Sequence, residues 1–273
     1  MMCIRMKFLP PFQSRRFWGV LISGALFGML IWGLLVRYHS VVATYVWEQG
    51  HSARLAMLLD GNNAALAFTI GEYYFNHGAY DIARAEAAYN RAILLRPDYK
   101  EAIYQRGRIA FINGQFADAL FDMRTVLALD PEFKRAYYMH GLINGYIGNL
   151  AQAEYGFREF IKRDDFNWAG YNDLAWIYFK QGKYEETRAT AKRGLEQAPG
   201  NPWLNNIYGT ALLNLGEKQA AKEAFLIAQA TSLEMSPEDW GRAYPGNNPS
   251  IYATGLAETR SVIEHNLTLV SGE

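Results

Sequence analysis

The chain is short of cysteine. Among 273 residues only Cys3 is present, which excludes an intrachain disulfide framework and any cysteine-based zinc cluster. It has no net charge: 27 Lys and Arg balance 27 Asp and Glu. A general nucleic-acid binder needs net basic charge to displace counterions, so that class is excluded. Disorder is excluded too, because 18 Tyr, 15 Phe and 7 Trp supply ample material for a packed core. Catalytic signatures are also lacking. The five histidines (His39, His51, His77, His140, His265) show no metal-binding i, i+4 pair. No Walker loop and no GxSxG occurs. Gly141, Gly145 and Gly148 imitate a phosphate loop only superficially, since no strand precedes them. Asp164 and Asp165 are adjacent and so point apart on a helix. The expectation is a non-enzyme, with no catalytic residues, no metal and no cofactor.

One stretch lacks charge altogether. Phe17 to Val36 reads FWGVLISGALFGMLIWGLLV. At about 1.5 Å per residue that run spans about 30 Å, the depth of a hydrocarbon core. Arg5, Lys7, Arg15 and Arg16 precede it without an acid, which predicts a cytoplasmic N-terminus and an extracytoplasmic remainder. Residues 1–16 are then a cytoplasmic basic tail and 17–36 a transmembrane helix. A cleaved signal peptide is the rival, with Val41-Val42-Ala43 as its cleavage site. The apolar run exceeds the usual signal-peptide length, which favours an uncleaved anchor. Gly24 and Gly28 form a GxxxG pair that would let two spans approach as a dimer. Cys3 sits in no lipidation motif.

The rest of the chain is periodic. Gly114, Gly148, Gly182 and Gly216 recur every 34 residues, with Gly78 36 residues ahead. Gly107, Gly141, Ala175 and Gly209 keep the same step, with Gly71 again 36 ahead. Ala119, Ala153, Thr187 and Ala221 form a third series. Pro97, Pro131 and Pro199 form a fourth, with Asp165 filling the gap and Leu233 at its end. In a pair of antiparallel helices each series has a job. Small residues let the helices cross closely, a glycine ends the first helix in the left-handed conformation, and proline stops the second.

This pattern resembles the tetratricopeptide repeat family, whose unit is a 34-residue helical hairpin. Tyr171 to Glu186 is the best match, with Leu174, Ala175, Tyr178, Gly182 and Tyr184 in family positions. The resemblance implies an all-α solenoid with repeats at about 63–99, 100–133, 134–167, 168–201 and 202–235. Two extra residues are expected in the second helix of the first repeat. Residues 37–62 would form a juxtamembrane capping helix, with Ser52 to Asp60 helical. Ser236 to Asn248 reads as a loop. Pro249 then opens a terminal helix with Tyr252, Leu256, Ile263 and Leu267 on one face. Asn266-Leu267-Thr268 is a glycosylation sequon.

The resemblance also implies where a partner binds. First-helix positions 2, 5, 9 and 12 of the family face a concave groove. Here they hold Glu101, Tyr104, Arg108 and Phe111, then Arg135, Tyr138, Leu142 and Gly145. The next repeats offer Ala169, Asn172, Trp176 and Phe179, then Trp203, Asn206, Thr210 and Leu213. The candidate groove residues are Tyr104, Arg108, Phe111, Arg135, Tyr138, Asn172, Trp176, Phe179, Trp203, Asn206 and Thr210. Rings supply contact area at low entropy cost, and Asn or Arg can bond a peptide backbone. The same rings could instead fill gaps between neighbouring first helices. Position 9 holds Glu72, Arg108, Leu142, Trp176 and Thr210, never Asn, which disfavours capture of chaperone tails.

The expected function is a membrane-anchored protein-interaction scaffold whose groove holds a peptide or loop, in envelope-complex assembly. An accessory subunit of a membrane enzyme, or a receptor with cytosolic repeats, are the alternatives. The neutral total hides an asymmetry. Residues 1–37 carry five cations and no acid, leaving 22 basic against 27 acidic residues beyond them.

Overall fold

A computed structural model describes residues 15–76, 80–243 and 248–271. The basic tail before Arg15 and the predicted turn glycine Gly78 lie outside the described residues. The described secondary structure is helical throughout, without strands. Two compact units separate at Leu66 and Ala67.

The first unit holds α1 (Arg15–Gly50) and α2 (Ala53–Leu59). The expected twenty-residue span is part of a longer helix. No single described helix is long and apolar enough to cross a membrane. Val20–Leu34 and Val36–Gly50 meet that criterion only together, and they diverge by 62°. Every residue from Val20 to Leu34 is exposed. The second arm has a different character: Ala43 and Trp47 are buried, and α2 packs along it with Ala56 buried in turn. Asp60, just beyond α2, accepts from the Asn63 side chain at 2.9 Å.

The second unit is a row of helical hairpins. Their first helices are α3 (Ala64–Asn76), which begins just before the unit, α5 (Lys100–Ile112), α7 (Lys134–Tyr146), α9 (Trp168–Lys180) and α11 (Pro202–Asn214). The second helices are α4 (Ile82–Leu95), α6 (Phe116–Leu129), α8 (Leu150–Arg163), α10 (Tyr184–Gln197) and α12 (Lys218–Glu234). From α5 onward the helix starts repeat at 34 residues.

The glycine series explains the hairpins. Gly114, Gly148, Gly182 and Gly216 have φ between 73° and 83°. The residue after each glycine donates its N–H five residues back, as in Gln115 to Ala110 at 2.8 Å and Lys183 to Tyr178 at 2.9 Å. That bond closes a Schellman motif and satisfies a carbonyl the helix end would orphan. At the crossings, Ala119, Ala153, Thr187 and Ala221 are fully buried. The helices meet there with no room for a larger side chain, and a Cβ on Gly156 would lie 2.6 Å from the Gly141 nitrogen.

Three details depart from expectation. The two extra residues of the first repeat do not lengthen its second helix. α4 has 14 residues, like α6, α8 and α10, so the surplus falls in the connection between Asn76 and Ile82. α12 runs 17 residues to Glu234, because Leu233 stands where a proline would stop it. The expected loop after Ser236 contains a helix, α13 (Pro237–Ala243). Its start is a capping box: Asp239 Oδ2 accepts from the Ser236 N–H and hydroxyl, both at 2.8 Å, and Ser236 Oγ accepts from the Asp239 N–H at 3.2 Å. A single 3-10 turn (Pro249–Ile251) then leads into α14 (Tyr252–Ser271).

α14 lies along α12 as a sixth first helix would. Leu256 and Ile263 are buried, and Leu267 and Val270 pack on the cluster of Leu212, Ala221 and Phe225. Arg260 donates to the carbonyls of Ser232 and Met235 at 2.8 and 2.9 Å, capping the long α12. Trp240 on α13 lies so close over Gly255 that a Cβ there would meet its ring at 2.3 Å.

Candidate functional site

Successive first helices touch one another (α5–α7, α7–α9, α9–α11), and the second helices do not approach as closely. The row therefore curves with its first helices inside. The candidate residues on this inner face fall into two groups.

In the fourth and fifth repeats most are engaged within the chain. Trp203 stacks flat on Trp168, with centroids 5.3 Å apart and planes 9° from parallel. Asn206 accepts from Asn266 of α14 at 2.9 Å. The Thr210 hydroxyl donates to the Asn206 carbonyl at 2.8 Å, and Leu213 packs on the same buried cluster as Leu267 and Val270. The C-terminal end of the inner face is thus covered by α14. The half-buried Asn266 is the sequon asparagine, so a glycan on the folded chain would displace this bond.

Between the third and fourth repeats, Tyr138 and Asn172 converge on a residue that the family positions did not point to. The Tyr138 hydroxyl donates to Asp173 Oδ2 at 2.7 Å and Asn172 Nδ2 to Oδ1 at 3.0 Å. Burial pushes the Asp173 carboxyl up to about 6, against the pull of those two donors. The ring of Tyr138 meanwhile packs on Phe157 and Phe160, at 5.6 and 5.0 Å.

The second to fourth repeats keep an accessible surface. Tyr104 is not part of it, because it is buried under two guanidinium groups. Arg135 sits 5.2 Å and Arg108 6.0 Å from its ring centroid. Arg135 is exposed. Arg108 also lies 4.7 Å from the Phe75 ring and donates to Gln105 at 2.7 Å. Phe111 meets Tyr146 edge to face at 5.0 Å, and Tyr146 is 71% exposed. Trp176 is 42% exposed, with the Lys180 ammonium 5.7 Å from its ring centroid. Phe179 packs on Tyr184 at 5.9 Å.

At the first repeat, position 9 is a carboxylate hub. Glu72 accepts from the Tyr89 hydroxyl at 2.7 Å and from Asn76 at 3.0 Å, and also from Gln105 of the next repeat. Burial, then this hydrogen bond, raises the Tyr89 phenol. The hub ties neighbouring repeats together. Among the described residues no group of three His, Cys, Asp or Glu converges to hold a metal ion.

An inner row of first helices, glycine-ended hairpins and a covering last helix define a helical-hairpin solenoid with a polar and aromatic inner face. Residues 68–132 and 138–202 match the tetratricopeptide repeat family, and the hairpins within them are tetratricopeptide repeats. No curated protein sequence matches the chain. Solved structures share the fold at low identity. A MamA protein is 20% identical, with a TM-score of 0.56 over 64% of this chain and 94% of its own. YrrB, described as having an unusual peptide-binding site, is 16% identical, with a TM-score of 0.55 over 66% and 92%. A tetratricopeptide repeat protein of Parabacteroides merdae is 20% identical, with a TM-score of 0.54 over 83% of each chain.

Proposed function

We propose that this protein is a membrane-anchored scaffold that holds an extended segment of a partner protein on the inner face of its second to fourth repeats. Its role is binding rather than catalysis. The observation that carries the reading is the half-exposed Trp176, which keeps a large ring in water beside Lys180 where the fifth repeat has covered its own inner face. Interface anchors have this character. A peptide-binding site on YrrB supports the same use of the fold. Trp176→Ala in the full chain tests it. Co-purification of a crosslinked partner from native membranes should be lost, and an unchanged partner set would sink the groove reading.

Membrane attachment rests on α1. A helix that exposes apolar side chains on every side, such as Leu26, Phe27, Leu30 and Trp32 at 60–70%, is unstable in water and suits lipid. The cations before Phe17 favour a cytoplasmic N-terminus, with the repeats extracytoplasmic in the assembly of an envelope complex. Gly24 and Gly28 have nothing within 4 Å of a built Cβ, which leaves that face open to the same helix of a second copy. Labelling of Ser250→Cys in a Cys3→Ser background decides orientation. An impermeant thiol reagent should react with intact cells once the outer barrier is opened. Reaction only after the inner membrane is breached would reverse the topology.

A further inference from the structure

The second arm of α1 has two opposed faces. Ala43 and Trp47 are buried on the side where α2 packs, with Ser40 half-buried beside them. Leu34, Tyr38, Val41 and Tyr45 follow one another at steps of four, three and four, so they share one face of the helix. Tyr45 is two residues, or about 200° around the helix, from both Ala43 and Trp47. This face is turned outward: Val41 is 65% and Tyr45 63% exposed. It continues the apolar surface of the first arm, where every residue from Val20 to Leu34 is exposed. A cation stands near the junction, with the Arg37 guanidinium 5.9 Å from the Tyr38 ring centroid. The acid of the arm, Glu48, stands toward the far end.

The other side of the arm does not suit hydrocarbon. Asp60, a buried carboxylate just beyond α2, lies 3.5 Å from the His39 ring nitrogen Nε2. The turn from Asp60 to Asn63 leaves backbone groups outside any helix. Lipid offers such groups no partners. A helix with one polar, protein-covered side and one apolar side belongs at the boundary between water and lipid. Tyrosine suits that boundary, because its ring lies at headgroup level with the hydroxyl toward water. The 62° divergence of the two arms agrees, since an arm leaving a span at that angle runs nearer the membrane plane than its normal.

We propose that the second arm of α1 lies in the headgroup layer of the bilayer that the first arm enters, with Tyr38, Val41 and Tyr45 turned into the lipid. The occupant of this face is a glycerophospholipid surface. Continuity with the apolar arm, and a cation where the two arms meet, select lipid over a second protein. The inference rests on the membrane reading and adds to it a second lipid contact, made along the surface rather than through it.

The test uses the full chain with Cys3→Ser, reconstituted in vesicles of phosphatidylethanolamine and phosphatidylglycerol. A nitroxide label is attached in turn at Leu30→Cys, Val41→Cys, Tyr45→Cys and Ser250→Cys, the last as the aqueous reference. All four replace exposed side chains, so the packing of α2 on the arm is kept, and an unchanged far-UV spectrum verifies it. Power saturation compares collision with oxygen, which concentrates in lipid, against collision with a water-soluble nickel chelate. Labels at Val41 and Tyr45 should favour oxygen severalfold more than the label at Ser250, yet lie shallower than the label at Leu30. If Leu30 is in lipid while Val41 and Tyr45 match Ser250, this inference falls and the anchor stands. If Leu30 matches Ser250 as well, the membrane reading falls with it. Labels at Val41 and Tyr45 as deep as Leu30 would make the arm part of the span. Labels shielded from both reagents would mean that a protein, or a second copy, covers the face. Either result overturns the proposal.

Discussion

Helix propensity alone says that replacing any mid-helix glycine with alanine stabilises a protein by about 1 kcal/mol. The structure splits that rule at two glycines eleven residues apart. At Gly145, the penultimate residue of α7, the new methyl finds contacts of 3.4–3.9 Å, so a part of the propensity gain should survive. At Gly156 it would meet the Gly141 nitrogen at 2.6 Å, the Gly141 Cα at 2.8 Å and the Tyr137 carbonyl at 2.9 Å. All three are backbone atoms, so no rotamer change relieves the overlap, and α7 and α8 must move apart. Overpacking of this kind costs about 1–3 kcal/mol, and more when backbone is the obstacle. Net of the propensity gain, Gly156→Ala should destabilise by about 1–2 kcal/mol, and Gly145→Ala should stabilise by about 0.5–1 kcal/mol. Urea unfolding of the repeat signal, followed by far-UV circular dichroism at constant detergent, measures both. The slope must stay constant for the midpoints to be compared. Stabilisation by both substitutions would refute the close approach of α7 and α8. Destabilisation by both would refute the ordinary contacts that a methyl finds at Gly145.

Arg106 holds the buried Asp122 with two bonds, Nε to Oδ2 at 2.9 Å and Nη2 to Oδ1 at 2.6 Å. Arg106→Ala strands that carboxylate and should cost about 3 kcal/mol in urea unfolding, and a loss under about 0.5 kcal/mol would show the pair to be idle. Ser236→Ala removes the α13 cap and should cost about 1 kcal/mol locally, read as faster amide exchange in residues 237–243. Asp173 titrates against the usual trend. Its carboxyl is raised to about 6 in the fold, so its contribution is full below its ordinary value of 3.8 and is lost as pH rises through about 6. Carboxylates held low by their donors, such as Glu154 and Glu159, shift stability the other way, so the difference between wild type and Asp173→Asn isolates the effect. Wild type should lose stability relative to Asp173→Asn between pH 4 and 6, and a flat difference would contradict the desolvated site.

The hairpins were legible because their constraints are local and repeated. A left-handed glycine every 34 residues admits few other readings, and the helices begin and end where those residues demand. What escaped was either local and unrepeated or not local at all. The Ser236–Asp239 capping box was readable, but the Pro, Gly and Asn around it argued for a loop. The surplus of the first repeat was expected in its second helix and lies instead in the connection before it, because the step between Gly71 and Gly107 does not say which segment holds it. Asp173 sits between family groove positions, and only the packing of α7 on α9 brings Tyr138 to it. Tyr104 was assigned to the groove by position, yet the guanidinium groups above it turn its ring into floor. Asn206 met Asn266 across sixty residues, a pairing that no periodicity encodes.

The covering of the last hairpin by α14 has a consequence for how such a chain can grow. A solenoid end left bare is a template on which the next hairpin, or a neighbour's hairpin, can stack. Here the bond between Asn206 and Asn266 and the hold of Arg260 on α12 make the terminus a stop rather than a step. A further hairpin would have to stack on α14 and not on α12, whose face α14 already covers. A duplicated 34-residue unit inserted between Gln197 and Pro202 would meet the same neighbours on both sides that each existing hairpin meets. Lengthening the inner face is therefore an internal operation, and the cap would travel with the end of the array.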